Sequence, residues 1–342
     1  MDTIGLDLHK RESQLCTLTD AGEILEQRIA TTRERFTAVL GNRPPARILL
    51  EASTESEWVA QHLESLGHTV IVADPNFAPM YATRRRGVKT DRRDARTLAE
   101  ALRLGAYRAI HRASPEQRHV RAQLAVRDAL IRTRSRYVNV VRALTRREGL
   151  RVPTGNPEHL ERKLAGLELD AALTAELAPL RVVLEPVNVE IERANAQLAA
   201  VAAGDPLIAR LCSMPQIGPV TAVAFVATLD DVTRFRTAHQ VEGYLGLTPR
   251  EYSSGERQHR GRISKTGNPR MRALLVEAGW RILHSNDPAL AALRAWGEQV
   301  ASRRGNCVAA VALARRLAGI LYALWRDGTT YRAPAAREPR AA

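Results

Sequence analysis

Aromatic residues make up only 4% of the chain, which excludes stacking of bases on a series of exposed rings as its main way of holding nucleic acid. Cysteine is scarcer still. Cys16, Cys212 and Cys307 are too far apart to form a zinc knuckle or a disulfide framework, and they read as buried small hydrophobes in a reducing cytosol. No Gly-rich triphosphate loop or dinucleotide fingerprint occurs, so nucleotide hydrolysis has no support. Long apolar runs are also lacking. Asp2, Asp7 and His9 interrupt the opening residues, so no secretory signal is expected. The stretches from Pro219 to Leu229 and from Val308 to Leu324 are short or broken by Arg315-Arg316, which argues against a membrane span.

Positive charge, by contrast, is in excess. Lys and Arg number 51 against 37 Asp and Glu, a formal net charge of +14, and phosphate is the partner such a balance implies. With 342 residues and 45% hydrophobic content the chain has material for more than one core, and two or three domains are expected.

Near the N-terminus Ile4, Leu6 and Leu8 alternate with Gly5 and Asp7, the period of a strand with one apolar face and with the aspartate on the other. A strand near Gln14 to Leu18 turns through Asp20-Ala21-Gly22 into another at Ile24 to Ala30. A short strand from Arg47 ends on Glu51, a helix follows from about Glu55 to Leu66, and Thr69 to Ala73 forms a further strand closed by Asp74-Pro75-Asn76. Three antiparallel strands followed by α/β crossovers is the ribonuclease-H-like order.

In that order adjacent central strands bring Asp7 and Glu51 together, and Asp91 and Asp94, at i and i+3, share one face of a helix start. Each aspartate alone has a structural reading, as a strand end or a helix cap. Together the four carboxylates, flanked by Arg84, Arg85, Arg86 and Lys89, form the donor set a metal-dependent nuclease needs. Two Mg²⁺ ions roughly 3.5–4 Å apart favour oxygen ligands and act on both the attacking and the leaving oxygen of a phosphodiester. Mn²⁺ is the expected substitute.

From about Pro115 to Glu148 the pattern is one long helix with near-heptad apolar positions and basic remaining faces, among them Arg132, Arg134 and Arg136, read as a phosphate-tracking surface. After the break from Arg151 to Pro157, Leu173 to Val201 resumes a more acidic helical pattern, expected to be kinked or divided at Pro179 and Pro186. It reads as a coiled-coil or helical-hairpin linker. A further core begins near Asp205, where Ser213 to Thr221 resembles the hairpin of a helix-hairpin-helix element, with Gly218 allowing close approach to a phosphate. Beyond it Ser253, Ser254 and Gly255 precede a basic run containing Arg257, Arg260, Arg262 and Lys265, an electropositive setting suited to a serine nucleophile.

The ordered set IGLDLHK, LLEAS, DPNFAP, KTDRRDARTLAE, SMPQIGPVTA, GLTPREYSSGE and ISKTGNPRMRALL resembles the insertion-sequence-110 family of transposases over almost the whole chain. The resemblance implies a RuvC-like DEDD domain whose carboxylates are Asp7, Glu51, Asp91 and Asp94, and a transposase domain whose serine becomes covalently joined to DNA. By motif position that serine is Ser254, with Ser253 as the alternative. It also implies donor and target DNA, a structured bridge RNA, dimers that join into a tetramer, and a location in the prokaryotic cytosol or nucleoid.

The expected architecture is thus α/β plus mainly α. It comprises a RuvC-like nuclease domain over 1–148 that includes the basic helix, a helical coiled-coil linker over 149–204, a mainly helical serine transposase domain over 205–333, and a disordered tail over 334–342. Two other readings stand beside the recombinase. A junction-resolving or structure-specific nuclease needs the carboxylates without the serine, and a non-catalytic scaffold needs only the basic surfaces.

Overall fold

A computed structural model describes residues 1–82, 90–252 and 260–333 of the chain, which divides into two compact units, Met1–Arg112 and Ala113–Ala342. The first unit runs β1 (Thr3–Leu8), β2 (Glu12–Leu18), β3 (Ile24–Ala30), α1 (Arg33–Leu40), β4 (Arg47–Glu51), α2 (Ser56–Ser65), β5 (Thr69–Ala73) and α3 (Asp91–Leu104). The strands form one mixed sheet in the order β3-β2-β1-β4-β5. The pairs β1/β2 and β2/β3 are antiparallel, whereas β1/β4 and β4/β5 are parallel.

Strand alternation decides what each face of this sheet meets. Ile4, Leu6, Ile48 and Leu50 project to one side and bury Phe36 and Leu40 of α1 with Val59 and Leu63 of α2. On the other side α3 lays Ala95 and Ala99 against Cys16 and Leu18, and Leu98, Ala101 and Leu102 against Leu49 and Ala73. At Gly5 the two backbones nearly touch, since a Cβ there would lie 2.0 Å from the Ala95 carbonyl oxygen and 2.3 Å from the Ala99 nitrogen. Glycine alone permits that approach.

The second unit contains α4 (Pro115–Arg147), α5 (Leu160–Ala165), α6 (Ala171–Ala203), α7 (Pro206–Cys212), α8 (Pro219–Leu229), α9 (Ala238–Tyr244), β6 (Pro249–Glu251), β7 (Arg260–Ile263), α10 (Pro269–Leu283), α11 (Ala291–Arg304) and α12 (Asn306–Asp327). Apolar residues repeat every seven positions on α6, at Leu177, Leu184, Ile191 and Leu198, and each is buried. On α4, Leu124, Val138 and Thr145 hold the same phase and are buried too. The two helices pack as an antiparallel hairpin, with Arg127 bonded to Asn195, Arg134 to Asn188 and Arg147 to Glu176. Helices α7 to α10 and α12 enclose the largest core, and the antiparallel pair β6/β7 stands beside it.

Several expectations need correction. Pro179 and Pro186 do not divide α6, which runs through both. Both prolines lie on its exposed side, and burial of the heptad face outweighs the roughly 3 kcal/mol that each interior proline costs. The Arg315-Arg316 pair does not break the last apolar stretch either. Helix α12 has the length and apolarity to cross a bilayer, yet Leu313, Ala314, Leu317, Leu321 and Tyr322 bury its apolar face in the core, while Arg315 pairs with Glu242 and Arg316 lies over Trp296. Of the cysteines only Cys16 is buried; Cys212 is half-buried and Cys307 exposed. Apart from these corrections, the compact unit Ala113–Ala342 includes α4, which the sequence reading placed in its domain over 1–148.

The close approach at Gly5 predicts that Gly5→Ala destabilises the first unit by about 3 kcal/mol or more, because the added methyl meets backbone that has nowhere to move. In α9, where a Cβ on Gly243 meets nothing within 4 Å, Gly243→Ala should be neutral or slightly stabilising. Urea unfolding of both variants checks this, and an unaffected first-unit transition in Gly5→Ala would contradict it.

Candidate active site

The last residues of β1 and β4 and the first turn of α3 meet at one end of the sheet. The parallel register pairs Leu6 with Leu50, so Asp7 and Glu51 follow side by side on the neighbouring central strands. Thr90 caps α3 by accepting from the Arg93 N–H, which places Asp91 and Asp94 in the first turn. The positive end of the helix dipole offsets part of the repulsion that these carboxylates exert on one another. Because Asp7 projects from the same strand face as Gly5, the contact that seats α3 on Gly5 also brings that first turn to Asp7.

The electrostatics agree with the placement. Asp7 is only 15% exposed at its side chain, and Asp94 as a residue 9%. Burial, before any other cause, raises the Asp7 carboxyl from its ordinary 3.8 to about 6; His9 pulls it down, and the charges of Asp94, Asp91 and Glu51 each push it up. All three other carboxylates are therefore close enough to be felt at Asp7. One ligand atom each from Asp7, His9 and Asp91 lies within 4.8 Å of the others. Glu51 and Asp94 stand outside that three-residue group and are felt at Asp7 through their charge; the carboxylates, as hard oxygen donors, are of the kind that suits a divalent cation such as Mg²⁺.

Two residues that the sequence reading left out belong to this cluster. His9 Nε2 stands 3.3 Å from Asp7 Oδ2 and 3.5 Å from Asp91 Oδ1. Its position two residues after Asp7, directly beyond the end of β1, was the available signal. Tyr81 donates its hydroxyl to Glu51 Oε1 at 2.6 Å and also reaches the Pro75 carbonyl at 3.2 Å. No local pattern foreshadows that contact.

The expected basic contacts separate. Arg132 is 71% exposed with Asp128 as its i,i+4 partner, and Arg136 is exposed. Arg134 is not on that outer face. It is 8% exposed and donates to Glu158 and Asn188, because the hairpin turns it towards α6. Gly218 precedes α8 as its cap without a side-chain hydrogen bond, and Arg262 and Lys265 are exposed. Arg260 begins β7. The segment after that strand is fixed against α9, since Gly246, at φ +69°, has Thr266 backbone 2.1 Å from where a Cβ would lie. Arg84, Arg85, Arg86, Lys89, Ser253, Ser254 and Arg257 lie outside the described residues.

Comparison with known proteins places this geometry in context. A family described as Transposase, of the DEDD IS110 kind, matches residues 4–147, and the family described as Transposase IS116/IS110/IS902 matches residues 208–294. A probable family 20 transposase of Pseudomonas aeruginosa is 33% identical over 97% of this chain and 99% of its own length. The chain belongs to the IS116/IS110/IS902 family of transposases. This transposase is also 28% identical to the transposase for insertion sequence element IS1111A of Coxiella burnetii, over 96% of its own length and 91% of the relative's. The transposase for IS1328 of Yersinia enterocolitica is 27% identical over 96% and 98%. Members of such a family cleave and rejoin DNA, and Asp7, Glu51, Asp91 and Asp94 all fall within the first match.

The raised Asp7 carboxyl has a measurable consequence. Its pKa is higher folded than unfolded, so from about pH 4 to 6 the folded state holds the extra proton and stability falls as pH rises. In chelator, Asp7→Asn should match the native transposase near pH 4 and exceed it at pH 7 by up to about 3 kcal/mol. Urea unfolding across that range measures the difference, and a gap that stays constant with pH would contradict the assignment.

Proposed function

We propose that this transposase cuts and rejoins DNA with Asp7, Glu51, Asp91 and Asp94 as the ligands of a divalent-metal site and Ser254 as the nucleophile. The convergence of the four carboxylates beside Gly5 carries the first part of that reading. Bound there, Mg²⁺, as two ions in the full site with Mn²⁺ able to replace it, would supply the positive charge that a phosphodiester acquires oxygen negativity against. Tyr81 holds one oxygen of Glu51, and His9 stands between Asp7 and Asp91 to orient them. The five-strand order and the DEDD set support the ribonuclease-H-like, RuvC-like assignment of the first unit, and α7 with α8 supports the helix-hairpin-helix reading of the second.

The part of Ser254 rests on the family resemblance and on its basic sequence surroundings. Its hydroxyl gives up a proton and attacks the scissile phosphorus; the bond to the leaving strand oxygen breaks, giving a phosphoserine link and a strand hydroxyl. A hydroxyl of the new partner strand then attacks the same phosphorus, and the serine leaves. The bond energy is conserved, so rejoining requires no external energy source. We assign Arg132, Arg136, Arg262 and Lys265, with Arg84, Arg85, Arg86, Lys89, Arg257 and Arg260 by sequence, to the backbone of the donor and target DNA and of a structured bridge RNA. The working assembly is a dimer that joins into a tetramer on two DNAs, in the prokaryotic cytosol.

Asp94→Asn should abolish strand cleavage while leaving nucleic-acid binding largely intact, since a neutral amide is a poorer ligand for Mg²⁺. Full cleavage by that variant, or undiminished cleavage in excess chelator, would refute the metal site. For the serine, the reaction is stopped in denaturant and the DNA-linked peptide mapped by mass spectrometry. The expected adduct is on Ser254. A link at Ser253 would move the nucleophile by one residue, and recombination by Ser254→Ala with no adduct at either serine would leave a metal nuclease.

A further inference from the structure

Within the second unit, α4, α10 and the N-terminus of α8 enclose a cavity of about 490 Å³, a size typical of ligand sites. Arg127, Arg134, Arg270 and Arg281 line it, opposed by Asp128 and Glu277. Their pairing is incomplete. Arg281 pairs with Glu277, Arg270 stands 3.5 Å from Asp128, and Arg134 binds Glu158 outside the cavity. Arg127 donates only to the neutral Asn195, at 2.7 Å, and makes no ion pair among the described residues. Its burial first, and then the charge of Arg134, hold its guanidinium below the ordinary arginine range.

The start of α8 marks the space further as one for an anion, since it sets backbone donors beside the arginines. Gly218 caps it without a side chain and Pro219 has no N–H, so the groups of Val220 and Thr221 lie at the cavity wall where the helix dipole is positive. Leu124, Ile131 and Leu274 make the remaining wall apolar.

From these features we infer that the cavity seats one nucleotide of a nucleic-acid strand, with its phosphate against Arg127 and the start of α8 and its sugar against the aliphatic wall. An isolated phosphate would meet the same cations but leave the aliphatic wall uncovered. The site is separate from the carboxylate cluster and needs neither metal nor serine.

The test uses the full-length protein in chelator, so that failure of the metal site cannot affect it. Binding of a short fluorescent oligonucleotide is followed by anisotropy over a range of salt, for the native chain, Arg127→Gln and Ala273→Glu. The glutamine keeps a donor for Asn195; Ala273 is exposed at the cavity wall, so its replacement adds an opposing charge without disturbing the core. Both variants should weaken binding about 3- to 10-fold, and Arg127→Gln should reduce the log-log salt slope by about 0.7 to 0.9. Unchanged affinity and slope in both would overturn the inference. In a second arm inorganic phosphate is titrated against thermal unfolding. Protection of the native chain by phosphate alone, with oligonucleotide binding unaltered in the variants, would also overturn it by assigning the cavity to a free anion.

Discussion

The site depends on one steric fact, that β1 carries no side chain at Gly5. The backbone of α3 passes there at a distance no Cβ would allow. Ala95 and Ala99 extend the same economy along the helix, each presenting a single methyl to Cys16 and Leu18. The consequence is electrostatic. With α3 drawn onto the sheet, its first turn delivers Asp91 and Asp94 to the ends of β1 and β4, where Asp7 and Glu51 already stand. Apolar packing on both faces of the sheet maintains an arrangement of like charges that would not assemble by itself, and Asp7 is pushed towards its protonated form by burial first and by the neighbouring carboxylates after it.

Positive charge is distributed by a different logic. The arginines of α4 read in sequence as one basic surface, but helical geometry sends them to different tasks. Arg121 donates to the Ala227 and Thr228 carbonyls at the end of α8, where the dipole favours a cation. Arg127 and Arg134 turn towards α6, while Arg132 and Arg136 remain outward. Part of the chain's excess charge thus secures helix packing, and only the outward part is available to phosphate.

Much of the first unit was legible because its signals are local. Period-two alternation placed Asp7 opposite Ile4 and Leu6, the turn at Asp20-Ala21-Gly22 joined the hairpin, and Asp91 with Asp94 at i,i+3 marked the start of α3, although the cap itself is Thr90 and not an aspartate. What escaped depends on distant contacts. Tyr81 reaches Glu51 across thirty positions of chain through the packing of a short segment, and no composition rule predicts it. Arg134 looked like its neighbours until a partner helix was present to bury it. Pro179 and Pro186 are strong local breakers, yet the heptad face of α6 overrides them. In α12 the charged pair obscured a continuous helix because both arginines find partners, Glu242 and Trp296, that lie far away in sequence.

The central claim, that four carboxylates gathered by Gly5 form one divalent-metal site, is tested most directly by crystals of the transposase soaked in Mn²⁺ and measured at the manganese absorption edge. The account predicts anomalous density in contact with Asp7, Glu51, Asp91 and Asp94, lost in crystals of Asp94→Asn. Manganese bound elsewhere, with those four carboxylates left untouched, would contradict it.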